Sequence, residues 1–111
     1  MPDDPPCAAD PSPMDIDAIH KALANPVRRE ILLWLKEPQR YFPEQAHSLE
    51  NGVCAGQFDG RCELSQSTVS AHLATLQRAG LVSTHRIGQW VYFKRNEETI
   101  QAFLAQLSDG L

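Results

Sequence analysis

Hydrophobic positions recur along the chain in two different periods, and the breaks between them divide it into segments. From Met14, MDIDAIHKALAN sets Ile16, Ile19 and Leu23 at helical spacing, with acidic residues in the first turn where the helix dipole favours them. Asn25-Pro26 interrupts this helix and starts another, because proline suits the first helical position. PVRREILLWLKE then places Val27, Ile31, Trp34 and Leu35 on one face. Leu32 and Leu33 widen that face, which predicts a deeply buried helix. PQRYFPEQAHSLENG holds two prolines and an Asn-Gly and reads as a loop, with Tyr41, Phe42 and Leu49 available for packing. A short helix is expected from about Val53 to Asp59, stopping at Asp59-Gly60. The next starts at Ser65, whose hydroxyl can cap it, and runs to Ala79 before Gly80 ends it.

Beyond Gly80 the period shortens. LVSTHRIGQWVYFK is rich in β-branched and aromatic residues on either side of Gly88-Gln89, which predicts a hairpin of about 82–86 and 90–94. The tail, NEETIQAFLAQLSDGL, forms a last amphipathic helix with Ile100, Phe103, Leu104 and Leu107 on one side. Residues 1–13, MPDDPPCAADPSP, carry five prolines and three aspartates and read as a disordered N-terminal arm. The remainder, 14–111, reads as one domain, mainly α with a β-hairpin wing. Its order is that of a winged helix-turn-helix of about five helices and two strands.

Composition narrows the picture. A chain of 111 residues that is 42% hydrophobic supports one modest core. Dimerisation that hides further apolar helix faces is a natural remedy for so small a domain. No segment approaches the roughly 20 apolar residues of a membrane span, and the start lacks the basic and apolar runs of a signal peptide, so a cytoplasmic location is expected. Three cysteines are an odd number, and a reducing cytosol disfavours a structural disulfide framework.

Net charge is −4, but it is unevenly spread. Residues 1–60 hold 5 Lys/Arg against 10 Asp/Glu, residues 61–95 hold 5 against 1, and residues 96–111 hold 0 against 3. A phosphate backbone responds to the field within a Debye length, about 8–10 Å, so the basic middle suits nucleic acid despite the acidic whole. Steep salt dependence is expected.

On a helical wheel, Leu73 and Leu76 fall within about 40° of Val69 and form the buried stripe of the Ser65 helix. Ser67, Ala71, Ala74 and Arg78 cluster opposite. A face of short hydroxyls and alanines is unusual for solvated helix and suits insertion into a groove, where small side chains admit the backbone and Ser, Thr and Gln bond base edges or phosphates. His72 lies beside Leu73 and reads as a packed, hydrogen-bonded histidine in preference to a ligand. Trp34 and Trp90 lie in apolar patterns and read as core residues in preference to base-stacking groups.

Three stretches, NPVRREILLWL, LSQSTVSAHLATLQRAGLV and RIGQWVYFK, together resemble the ArsR/SmtB family of bacterial transcriptional regulators, over about residues 15–107. The resemblance implies a homodimer joined through the first and last helices, binding double-stranded DNA at an imperfectly palindromic operator and repressing by occupying it. A metal, metalloid or oxidant would trigger release. Carried onto this sequence, the family pattern makes Gln66, Ser67, Thr68 and Ser70 groove contacts. Ala71 and Arg78 share the exposed face, and Arg86 and Gln89 flank the wing turn.

Family members that sense metalloids carry a clustered CxCxxC-like box before the reading helix. Here the matching stretch is GVCAGQFDGRC: Cys54 occupies the first position, and Gly56 and Asp59 occupy the other two. The family's Asp/His site on the last helix has no counterpart, since residues 97–111 contain no histidine. Three readings of the thiols stay open. Cys54 is a small apolar residue paired with Phe58 and Cys62 is incidental. Alternatively, Cys7, Cys54 and Cys62 supply three thiolates to trivalent arsenic or antimony. Or Cys54 and Cys62 form a redox or electrophile switch, with Arg61 and the adjacent helix start favouring a Cys62 thiolate. An unbroken helix between the two cysteines would hold their Cα atoms about 12 Å apart, whereas a disulfide needs less than about 7 Å, so this reading places a break at Asp59-Gly60.

An enzyme is disfavoured, because no nucleophile-base-orienter set and no glycine-rich phosphate loop is evident. A winged helix serving protein interaction without DNA is a further alternative.

Overall fold

The computed structural model describes residues 14–42, 52–61 and 63–111, with only the backbone of Asp59 and Gly60. The N-terminal arm, Leu49, Cys7 and Cys62 lie outside the described residues. Helix α1 (Ile16–Leu23) starts where the Asp15 carboxylate accepts from the Ala18 amide at 3.0 Å. Helix α2 (Pro26–Lys36) restarts the chain as expected. The Asn25 side chain accepts from the amides of Val27 at 2.8 Å and Arg28 at 3.3 Å, and Pro26 fills a position that needs no donor.

Three elements differ from the sequence reading. Pro38–Tyr41 forms a short helix, α3, inside the expected loop, again with proline at its start. Val53–Cys54 is a strand, β1, in place of the first turn of a helix. Helix α4 (Ala55–Arg61) continues through Asp59-Gly60, where a stop was expected. Glycine removes a side chain from a helix at a cost of about 1 kcal/mol, and neighbouring packing outweighs that. Helix α5 (Gln66–Arg78) begins at the Ser65 cap. It ends in a Schellman motif: Gly80 has φ +84°, its amide donates to Gln77 O at 2.9 Å, and the Leu81 amide donates to Leu76 O at 3.0 Å.

Strands β2 (Val82–Ile87) and β3 (Trp90–Arg95) form the expected hairpin, closed by Gly88 at φ +61°. The sheet has the order β1-β3-β2, all antiparallel, with Val53 opposite Phe93 and Cys54 opposite Tyr92. Helix α6 (Glu97–Gly110) completes the chain, capped by Asn96. The result is a winged helix-turn-helix with one more strand and one more short helix, among the described residues, than the sequence pattern indicated.

The core gathers Ile19, Ile31, Trp34, Phe58, Leu73, Leu76 and Phe93 from helices and sheet alike. The rings of Phe42 and Phe58 meet edge-on at 5.4 Å, and those of Phe58 and Phe93 at 6.1 Å. Other apolar residues remain outside. Leu33 is 43% exposed and so does not share the burial of its helix, and Trp90, expected in the core, is equally exposed near the wing tip. Leu104 is 50% exposed, while its neighbours Ile100 and Leu107 are half-buried against the core.

Candidate nucleic-acid interface and thiol site

Helix α5 is divided by its own periodicity. Val69, Leu73 and Leu76 are buried, whereas Gln66, Ser67, Thr68, Ser70, Ala71 and Arg78 are exposed. Its first turn is knitted by hydroxyls: the Thr68 amide donates to Ser65 Oγ at 3.3 Å, and Ser65 Oγ lies 2.9 Å from Thr68 Oγ1 and 3.2 Å from Ser67 Oγ. Amide donors at a helix start, bordered by hydroxyls that both donate and accept, form a surface able to bond phosphate oxygens or base edges. Arg78 stands apart from this group. It lies at the far end of the helix, about 18 Å along the axis from Gln66, and its Nη2 donates to Thr75 Oγ1 at 3.4 Å.

The hairpin is fastened to this helix. Gln77 Nε2 donates to Thr84 Oγ1 at 3.3 Å. Side chains alternate along a strand, so Arg86 projects from the same face of the hairpin as Thr84, on the side toward α5. Gln89 stands exposed in the turn. The Gln77–Thr84 link went unread in the sequence, where Gln77 looks like an ordinary surface residue.

A second tie holds α5 from behind. Arg28 donates from Nε to Ala22 O at 2.7 Å and from Nη2 to Lys21 O at 3.1 Å, and its Nη1 lies 3.1 Å from His72 Nδ1. One guanidinium thus joins the end of α1 to α5. Burial, and secondarily the Arg28 charge, hold the His72 pKa below its ordinary value. His72 is therefore the packed, hydrogen-bonded residue its position indicated.

Cys54 is half-buried on β1, opposite Tyr92. Burial pushes the Tyr92 phenol up, and the neighbouring Cys54 sulfur adds to that shift. Helix α4 follows Cys54 directly and packs on α5. Arg61, at its end, is pinned by its Nε bond to Tyr41 O at 3.1 Å and lies 4.9 Å from the Tyr41 ring centre and 5.8 Å from that of Trp34. The expected break at Asp59-Gly60 is absent, so seven helical residues separate Cys54 from position 62. Over its seven residues α4 rises about 10 Å, against the Cα separation of less than about 7 Å that a disulfide allows. Among the described residues, no three of His, Cys, Asp and Glu come together as metal ligands. No helix among them is long and apolar enough to cross a membrane.

Comparison with known proteins agrees with this geometry. The profile described as bacterial regulatory protein, arsR family, matches residues 61–84, which run from the last residue of α4 through α5 into β2. The chain is 45% identical over 84 residues to the uncharacterized HTH-type transcriptional regulator YbzH of Bacillus subtilis, covering 74% of this chain and 84% of YbzH. It is 36% identical over 87 residues to the transcriptional activator HlyU of Vibrio cholerae, covering 78% of this chain and 68% of HlyU. The solved structure of reduced HlyU superposes with a TM-score of 0.55 over 80% of this chain and 81% of that one, at 33% identity. An ArsR-like transcriptional regulator from Rhodococcus sp. RHA1 shares the fold at 21% identity, with a TM-score of 0.64 over 85% of this chain and 76% of that one.

Proposed function

The chain belongs to the ArsR family of bacterial transcriptional regulators, and from that premise we propose that it is a homodimeric repressor whose DNA affinity is set by Cys54 and Cys62. The observation that carries the DNA-binding half is the exposed, hydroxyl-lined start of α5 beside a hairpin bonded to the same helix. Gln66, Ser67, Thr68 and Ser70 enter the major groove, with Ala71 allowing close approach. Arg86 and Gln89 meet the backbone or minor groove from the wing. Arg78, folded onto Thr75, reaches phosphate by leaving that bond. The dimer forms through the first and last helices, where the exposed Leu104 and Leu111 and the half-buried Ile16 and Leu107 leave apolar surface to cover.

Thiol modification supplies the release step. A thiolate at Cys54 or Cys62 attacks a peroxide, forming an S–O bond as the O–O bond breaks and hydroxide leaves. The sulfenic acid is larger and more polar than the thiol. At Cys54 it enlarges a half-buried side chain on the strand that leads directly into α4, and α4 packs on the reading helix. A disulfide to Cys62 would act more strongly, because it requires α4 to unwind. A change of about 2.8 kcal/mol in binding corresponds to a hundredfold loss of affinity.

Gel retardation on the DNA upstream of the gene, with and without peroxide, tests this. Retardation should be lost on oxidation, restored by reductant, and much less sensitive to peroxide in Cys62→Ser, which keeps only the weaker effect of Cys54. Normal release by that variant removes Cys62 from the switch. Release by trivalent arsenic or antimony under excess reductant would instead support the metalloid reading with Cys7, Cys54 and Cys62. Absence of retardation at low salt would favour a protein-interaction module.

A further inference from the structure

We propose that the tip of the wing reads the minor groove by shape, with Ile87 as an apolar probe that admits A·T pairs and rejects G·C pairs. This role presupposes the DNA-binding reading and assigns a specificity residue within it. In the exposed stretch from Ser83 to Trp90, the large apolar side chains are confined to the turn: Ile87 is 41% exposed, and Trp90, its register partner across Gly88-Gln89, is 43% exposed. Polar residues and glycine ordinarily occupy such turns, because apolar surface left in water is unfavourable. A partner that covers Ile87 removes that surface from water.

Three features of the wing identify the partner as DNA. The stretch from Ser83 to Trp90 carries Arg86 and no acidic residue, so a phosphate backbone is attracted to it. The Gln77–Thr84 bond of 3.3 Å fastens the wing to the reading helix, and Ile87 lies three residues, about 10 Å, beyond that bond. The tip is also slim, since a Cβ added at Gly88 would meet nothing within 4 Å. The minor groove is about 6 Å wide, too narrow for the whole hairpin, and so admits one side chain beside a bare turn.

The floor of that groove presents only acceptors at A·T pairs, whereas each G·C pair adds the guanine N2 amino group. That amino group fills the space a branched aliphatic chain needs, and against Ile87 it loses water without gaining an acceptor. Arg86 projects from the opposite face of the strand, so the aliphatic contact is separable from the ionic one.

Fluorescence anisotropy on the duplex retarded in the gel assay, and on the same duplex with diaminopurine in place of every adenine, tests this. Diaminopurine keeps the major-groove face of adenine and adds an N2 amino group to the minor groove. The unsubstituted protein should bind the diaminopurine duplex about tenfold more weakly. Ile87→Thr keeps a β-branched residue in the strand; it should lose most of that discrimination while leaving the salt dependence unchanged. Equal binding of the two duplexes by the unsubstituted protein, or undiminished discrimination by Ile87→Thr, would overturn this role for Ile87 and leave DNA binding intact. Absence of binding to either duplex at low salt would overturn both.

Discussion

Arg28 Nη1 and His72 Nδ1 face each other at 3.1 Å, linking the second helix to the helix proposed to read DNA. Arginine has only donors, so Nδ1 is the acceptor and the neutral ring carries its proton on Nε2. Protonating His72 removes that acceptor and sets two cations against one another. The His72 pKa is accordingly held below 6.5, by burial first and by Arg28 second. Above the unfolded value, this group adds no pH dependence. As pH falls through it, the unfolded chain takes up the proton before the folded one, and stability declines until the folded pKa is also passed. Thermal melting from about pH 7.5 to about pH 5 should show this loss, and His72→Gln should flatten the curve. Equal slopes in both proteins would remove His72 as the cause.

Gly52 has φ +106°, and a Cβ there would stand 2.6 Å from Phe93 O. Gly52→Ala therefore adds backbone strain to a collision with strand β3, and should destabilise by about 2 kcal/mol or more. Gly88 also has positive φ, but nothing lies within 4 Å of the added carbon. Gly88→Ala should cost only about 1 kcal/mol. Urea unfolding of the two variants measures the difference.

Phe58 is fully buried between the rings of Phe42 and Phe93. Phe58→Ala should cost about 3–5 kcal/mol, the range for a large buried ring. Because Phe93, which holds Phe58, is the register partner of Val53 beside Cys54, the variant should also make Cys54 more reactive toward a thiol reagent. Unchanged labelling kinetics would show that the ring cluster does not shield it.

Substitutions on the reading surface should separate into two kinds of effect. Gln66→Ala, if it removes a base contact, should cost about 1–3 kcal/mol and relax preference at one operator position. Arg86→Ala should weaken all sequences alike and lower the salt dependence of binding by about one phosphate contact. Fluorescence anisotropy over a salt series, on operator and scrambled DNA, distinguishes them.

The elements whose signal is local were legible before the structure. Ser65, Gly80, Asn25-Pro26 and Gly88 each act within a few residues of themselves, so the bounds of α1, α2, α5 and the hairpin follow from sequence. Val53–Cys54 was misread because its partner is Phe93 and Tyr92, some 40 residues on, and two residues carry no period of their own. The stop assigned to Asp59-Gly60 failed for a related reason: propensity opposes helix there, but burial of Phe58 in the same helix favours it. Trp90 follows the alternation of its strand, yet it sits at the hairpin turn opposite Ile87, where both residues are largely exposed. The exposed face of α5 was readable as a pattern. The ties that orient it, Arg28–His72 across 44 residues and Gln77–Thr84 from helix to hairpin, join different elements and leave no periodic trace.

The strand that carries Cys54 is only two residues long, while the hairpin beside it pairs over six. Short ladders fray more often than long ones, so β1 should open and reclose while the wing stays intact. The reaction of Cys54 is then timed by this local opening as well as by its chemistry. A reagent that reacts faster than β1 recloses meets a rate ceiling that adding more reagent does not raise, and a slower one reports how much of the time the strand stands open.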